Sequence, residues 1–285
     1  MFSRKRILGV LYLMLSTSVG MTLSQHVLSE DNLSEDIPRL ANGKPDFNGV
    51  WQVLNTANYN IEPHAASAAM VLKAGPYGDL PHDEVVKLGA VGSVPAGIGV
   101  VNEIPYQEWA RKQRDENQKN WLNRDPEIKC YLPGVPRATY MPFPFQIIQS
   151  AEAFFIAYEY AGATRNIFLK DPGPAPIDSW MGQSYGEWEN DTFVIHVTGN
   201  NDQTWFDRAG NFHSDALKVE ERYHFVHANL IRYEATITDE KVFTQPWTMR
   251  MNLYRRQAED AQLLQFKCVE FVEELIYGHL RRKRD

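Results

Sequence analysis

The sequence predicts a mainly β protein built around an antiparallel barrel, and three observations carry that expectation. First, from Phe145 onward apolar residues recur at every second position. Phe154, Ile156, Tyr158 and Tyr160 alternate, as do Phe193, Ile195 and Val197; Leu217, Val219, Tyr223 and Phe225; Ile231, Tyr233, Ala235 and Ile237; and Trp247, Met249, Met251 and Leu253. Second, the breaks carry turn chemistry, at Ala161-Gly162-Ala163, Glu189-Asn190-Asp191, Arg208-Ala209-Gly210-Asn211 and Ala228-Asn229. Short connections favour antiparallel neighbours, and a twisted meander of this length tends to close and so remove its edges. Third, the 285 residues are 44% hydrophobic and 23% charged, which excludes a disordered, collagen-like or coiled-coil chain. A formal charge of −7 argues against a general nucleic-acid binder.

The elements follow in order. Arg4, Lys5 and Arg6 precede the apolar run Ile7 to Leu15 and then small and polar residues, the pattern of a secretory signal with a cut after Ser24. Retained, the same segment would be an anchor, but Ile7 to Leu23 is short for a membrane span and contains Ser16, Thr17, Ser18 and Thr22. The expectation is an exported protein, periplasmic or secreted, with no stable membrane span after signal removal. Residues 25–46 read as an extended leader. Phe47 to Thr56 is the first strand. Residues 57–140 form a helical and Pro/Gly-rich insertion, with helical composition at His64 to Ala74 and near Asp83 to Leu88, and a firm helix over Tyr106 to Arg124, which lacks Gly and Pro. Prolines 126, 133, 136, 142 and 144 make the connection that follows an extended one. Strands are expected at 145–150, 153–160, 165–170, 184–189, 192–198, 216–226, 230–238, 247–255 and 263–268, so that one β-barrel domain spans 47–268. Val269 to Leu280 reads as a short C-terminal amphipathic helix, and residues 269–285 end in the basic run Arg281 to Arg284.

Cys130 and Cys268 are the two cysteines of the chain. In an oxidising compartment such a pair is expected to form a disulfide, worth roughly 4–5 kcal/mol for so long a loop in the chain-entropy picture, with two buried thiols as the alternative.

Two resemblances attach to these residues. Gly49-Val50-Trp51 resembles the G-x-W signature of lipocalins and other calycins, which implies a calycin-like (lipocalin-like) barrel with Trp51 plugging one end. The segments at 38–51, 125–138 (DPEIKCYLPGVPRA), 142–149, 179–195, 201–217 (ending in DRAGNFHSDAL) and 266–280 resemble a family of uncharacterised exported bacterial proteins. That resemblance implies export and one continuous domain, and it implies no activity.

The densest polar segment, Asn200 to Asp215, sets Asp207 and His213 on either side of the turn at 208–211. A hairpin there would bring carboxylate and imidazole together as an acid–base pair with raised imidazole pKa; a polar hairpin tip is the alternative. Arg137, Tyr140, Glu159, Arg165, Glu220 and Arg222 form a second group, in which Glu220 and Arg222 share a strand face; turned inward, these charges would be an ion-pair network or a ligand anchor, and turned outward, solvated faces. Trp180, Trp188, Trp205 and Trp247 would line an apolar pocket or fill the core. The eight histidines lack metal-ligand spacing, Gly182 to Gly186 lacks the helix a nucleophile elbow needs, and the glycines of 75–99 match no phosphate-binding motif, so neither metal nor cofactor is expected. The leading expectation is a barrel binding a small, partly apolar ligand in its interior under the 57–140 insertion. The first rival is a cofactor-free lyase, isomerase or hydrolase using His213, Asp207 and Arg222 in the same cavity. The second is a structural, envelope-associated protein with a filled barrel.

Overall fold

Alternation decides which side chains a closed sheet swallows, and the strands obey it: from Lys218 to Phe225 every second residue is buried, and the same holds from Leu230 to Ile237. The computed structural model describes residues 37–68 and 90–272. The expected signal segment, the first part of the leader, the helical piece near 83–88, and most of the C-terminal helix with its basic tail lie outside the described residues.

Nine strands close the barrel: β1 (Gly49–Val53), β5 (Phe145–Gln149), β6 (Phe154–Tyr158), β7 (Thr164–Phe168), β8 (Gln183–Glu189), β9 (Thr192–Thr198), β10 (Lys218–His227), β11 (Leu230–Thr238) and β12 (Trp247–Arg255). They pair in chain order, and β12 returns to β1 with Trp51 opposite Arg255 and Val53 opposite Leu253. The short β4 (Gly99–Val100) adds to β12, while β2 (Ser67–Ala68) and β3 (Ala90–Val91) pair with each other.

Three expectations are corrected. The sheet is mixed rather than wholly antiparallel, because β7 and β8 run parallel, Ile167 opposite Ser184. The 169–182 connection, with Pro172, Pro174 and Pro176, is long enough to carry the chain back to the same end. The segment 263–268 is not a strand; its described contacts run elsewhere, as where Leu264 N–H donates to Glu159 Oε2 at 2.7 Å. The described part of His64 to Ala74 is extended rather than helical, with His64 bridged to Val94 and Ser67–Ala68 paired with Ala90–Val91.

The expected helix forms as α1 (Glu108–Lys119) and a single turn α2 (Trp121–Arg124). Only Ala110 and Asn117 of α1 are buried. Gly210 lets α1 approach the 205–212 hairpin: with φ of 87°, a Cβ there would lie 2.6 Å from Gln118 N and 2.7 Å from Arg114 O. Cys130 and Cys268 form the expected disulfide, 138 residues apart in sequence with Cα atoms 5.6 Å apart. Among the described residues no helix is long and apolar enough to cross a membrane.

The barrel interior has three levels. One end is plugged by aromatic rings, with Phe47 stacked on Phe225 at 4.7 Å and Phe154 on Phe193 at 4.3 Å. Trp51 is fully buried there, its Nε1–H donating to Phe47 O, and the Arg255 guanidinium covers its ring at 4.3 Å. Gly49 belongs to this arrangement, since φ is 134° and a Cβ would sit 2.5 Å from Arg255 Nη1. At mid-height Arg165 and Glu221 form a fully buried ion pair. At the other mouth Trp247 meets Phe206 and Phe243 edge to face.

Candidate functional site

Asp125 begins the site. Its Oδ1 accepts the Glu127 N–H, capping the 3-10 turn Pro126–Lys129, which Pro126 opens with its φ already set. The turn brings Asp125 and Glu127 inward, where Arg137 lies between them, forked on Asp125 at 2.8 and 3.0 Å and touching Glu127 at 2.7 Å. Arg208 reaches Glu127 from the hairpin through Nε at 2.9 Å and Nη2 at 3.1 Å. Burial alone would raise the Glu127 carboxyl, but Arg208 and Arg137 together hold it down at about 2.

Over these ions lies a half-open cleft of about 340 Å³. Its walls are Ile128, Phe143, Tyr160, Phe266, Val269 and Val272, with Glu127 and Arg208 beneath and Lys267 on the lining. Phe143, Tyr160 and Phe266 form one aromatic group, with centroids 4.8 to 5.8 Å apart. The disulfide and a bond from Phe271 N–H to Ile128 O at 2.8 Å hold the 266–272 segment in place as one wall. Tyr160 donates its hydroxyl to Glu127 O at 3.2 Å, tying the aromatic wall to the ionic floor. A second cleft of about 290 Å³ lies between β7 and the 175–184 segment, and Arg165 and Ser184 contribute to its lining. Arg165 is committed there to Glu221, Tyr158 and Ser184.

The structure disperses the sequence-predicted residues. Asp207 and His213 are both buried in the hairpin but are not each other's partners. Asp207 accepts N–H bonds from Ile61, Asn211 and the Asn211 side chain. His213 Nδ1–H donates to Ser214 O at 2.9 Å, so Nε2 accepts from the Thr204 hydroxyl at 2.6 Å. The hairpin closes at the Trp205–Phe212 bridge, leaving Asp207 inside its turn and His213 beyond the bridge. Arg222 and Glu220 lie on the outer face, where Arg222 joins Glu189 and Glu220. Arg137 is part of the ionic floor, and Tyr140, fully buried, donates to Phe206 O at 2.8 Å. Trp247 belongs to the mouth's aromatic packing, Trp205 to the hairpin bridge, Trp188 to the plug beside Phe47, and Trp180 packs on Tyr131 at 4.8 Å.

The expected rise in the His213 pKa is reversed: burial holds it below the usual histidine value. Burial pushes the Asp207 carboxyl up to about 7, against the pull of its N–H donors. A histidine whose folded-state pKa is lowered contributes stability that is complete above the unfolded value of about 6.5 and is lost as pH falls through the folded value. An NMR titration should therefore find His213 below about 6.5 and unmoved in Asp207→Asn. A value at or above the reference, or one set by Asp207, would overturn the assignment of separate partners.

The fold and cleft together define a closed nine-strand β-barrel protein with an apolar recess over a buried ion cluster at its rim. Comparison with protein-family models, with curated proteins and with solved structures finds no match.

Proposed function

We propose that this protein binds a small, partly apolar molecule, and that it does so in the cleft beneath the 266–272 segment rather than inside the barrel. The observation that carries the reading is the cleft itself: about 340 Å³, within the size range of small-ligand sites, with aromatic and aliphatic walls and a few polar groups at one side. The barrel's middle, by contrast, is occupied by Arg165, Glu221, Tyr223 and Tyr233. The enzyme reading finds no support in the geometry, because Asp207, His213 and Arg222 do not converge. The disulfide supports work in an oxidising compartment, in keeping with the expected export signal.

The neutral fluorescent probe N-phenyl-1-naphthylamine tests this. Wild-type protein should bind it saturably with a stoichiometry near one, and Val269→Trp, which fills the cleft from a half-exposed position, should weaken binding at least about tenfold, the equivalent of 1.4 kcal/mol. Absent binding, or binding indifferent to Val269→Trp, would favour a structural protein with a filled barrel.

A further inference from the structure

The charges around the cleft are unequal in availability. Both Glu127 oxygens are engaged, Oε2 by Arg137 and Arg208 and Oε1 by Arg208. The cluster of Asp125, Glu127, Arg137 and Arg208 is balanced, two acids against two bases, so the floor offers no carboxylate to a cation. Lys267 differs. It lines the cleft, is exposed, and has no acidic partner among the described residues. The cleft is therefore apolar on its walls and charge-balanced at its floor, and among its lining residues Lys267 is the one charge outside that balance.

We infer that the ligand is an amphipathic anion, a short acyl or aromatic carboxylate whose apolar body lies against Phe143, Tyr160 and Phe266 while its carboxylate stays near Lys267. This rests on the binding reading above and adds the ligand's charge to it. A carboxylate at the rim keeps most of its hydration, so its desolvation cost is small, while its tail leaves water for the aromatic wall. A cation in the same pose would meet Lys267 and find no free acceptor on the floor.

Displacement of N-phenyl-1-naphthylamine by octanoate, octan-1-ol and octyltrimethylammonium separates the possibilities. Octanoate should compete about two- to fivefold better than octanol, the range of a solvent-exposed ion pair, and the cation worse than both. The preference should shrink in molar salt, where screening is nearly complete over a few ångströms. Lys267→Met should make octanoate and octanol equal, and Lys267→Glu should reverse the order of anion and cation. Since Lys267 is exposed, these variants keep the fold. Equal competition by all three compounds in wild type, or a preference unchanged in Lys267→Met, would overturn the inference while leaving the cleft a binding site. Failure of the naphthylamine probe itself to bind would remove the binding reading beneath it.

Discussion

Arg165→Met should destabilise the protein by about 3–5 kcal/mol, because it strands a buried carboxylate. Glu221 is completely buried at the barrel's mid-height, and Arg165 is the cation that meets both its oxygens. Tyr223 and Tyr233 donate hydroxyls to Glu221 Oε1 at 3.2 and 2.8 Å, which satisfies one oxygen but leaves the charge uncompensated. Burial of a lone ion, not loss of contact area, sets the size of the effect. The double variant Arg165→Met/Glu221→Met removes both charges and should recover most of the loss. Guanidinium denaturation of the two variants beside wild type measures this. A double variant no more stable than the single would mean that the pair is valued for its packing and hydrogen bonds to Ser184 and Tyr158 rather than for charge balance.

Trp51→Ala should cost a similar amount, about 3–5 kcal/mol, through a different mechanism. The ring is fully buried, packs edge-on to Phe225 at 5.9 Å, and lies under Arg255. Truncation opens a cavity at the plugged end and removes the surface on which Arg255 rests. That guanidinium is itself half-buried and its pKa is lowered by burial, so losing its aromatic cover adds to the penalty. Trp51→Phe should cost less by keeping a ring while losing the bond to Phe47 O. A change below about 1 kcal/mol for Trp51→Ala, the scale of an exposed position, would contradict this packing.

Strand positions are legible because alternation is a local property: β5 through β12 each begin and end within two residues of the expected strands. Pairing direction was less so. The parallel β7–β8 pair depends on the course of residues 169–182, whose prolines announce a loop but not its destination. The 263–268 segment misled because an apolar segment tethered by a disulfide can alternate without a strand edge to join. Inside the barrel, Glu221 was visible in principle, standing between Val219 and Tyr223 on the inward face of β10, where a charged residue signals a buried partner. The Asp207–His213 pairing failed because sequence distance across a turn does not say where the ladder closes; the Trp205–Phe212 bridge does. The cleft could not be read at all. Its walls come from residues 127–128, 142–143, 160, 208 and 266–272, which share no local pattern and meet only after folding.

The closing seam of the barrel has a consequence for the order in which the chain can fold. β1 bonds to β5 on one side and to β12 on the other, so its second edge has no partner until Leu253, Tyr254 and Arg255 have been made. A chain emerging from its N-terminus thus carries an unsatisfied strand through nearly the whole of its synthesis. Contacts of such long sequence separation slow folding, since the loop they close must be ordered before they contribute. A chain cut before Trp247 would keep two open sheet edges, β1 and β11, and those edges template pairing with other chains.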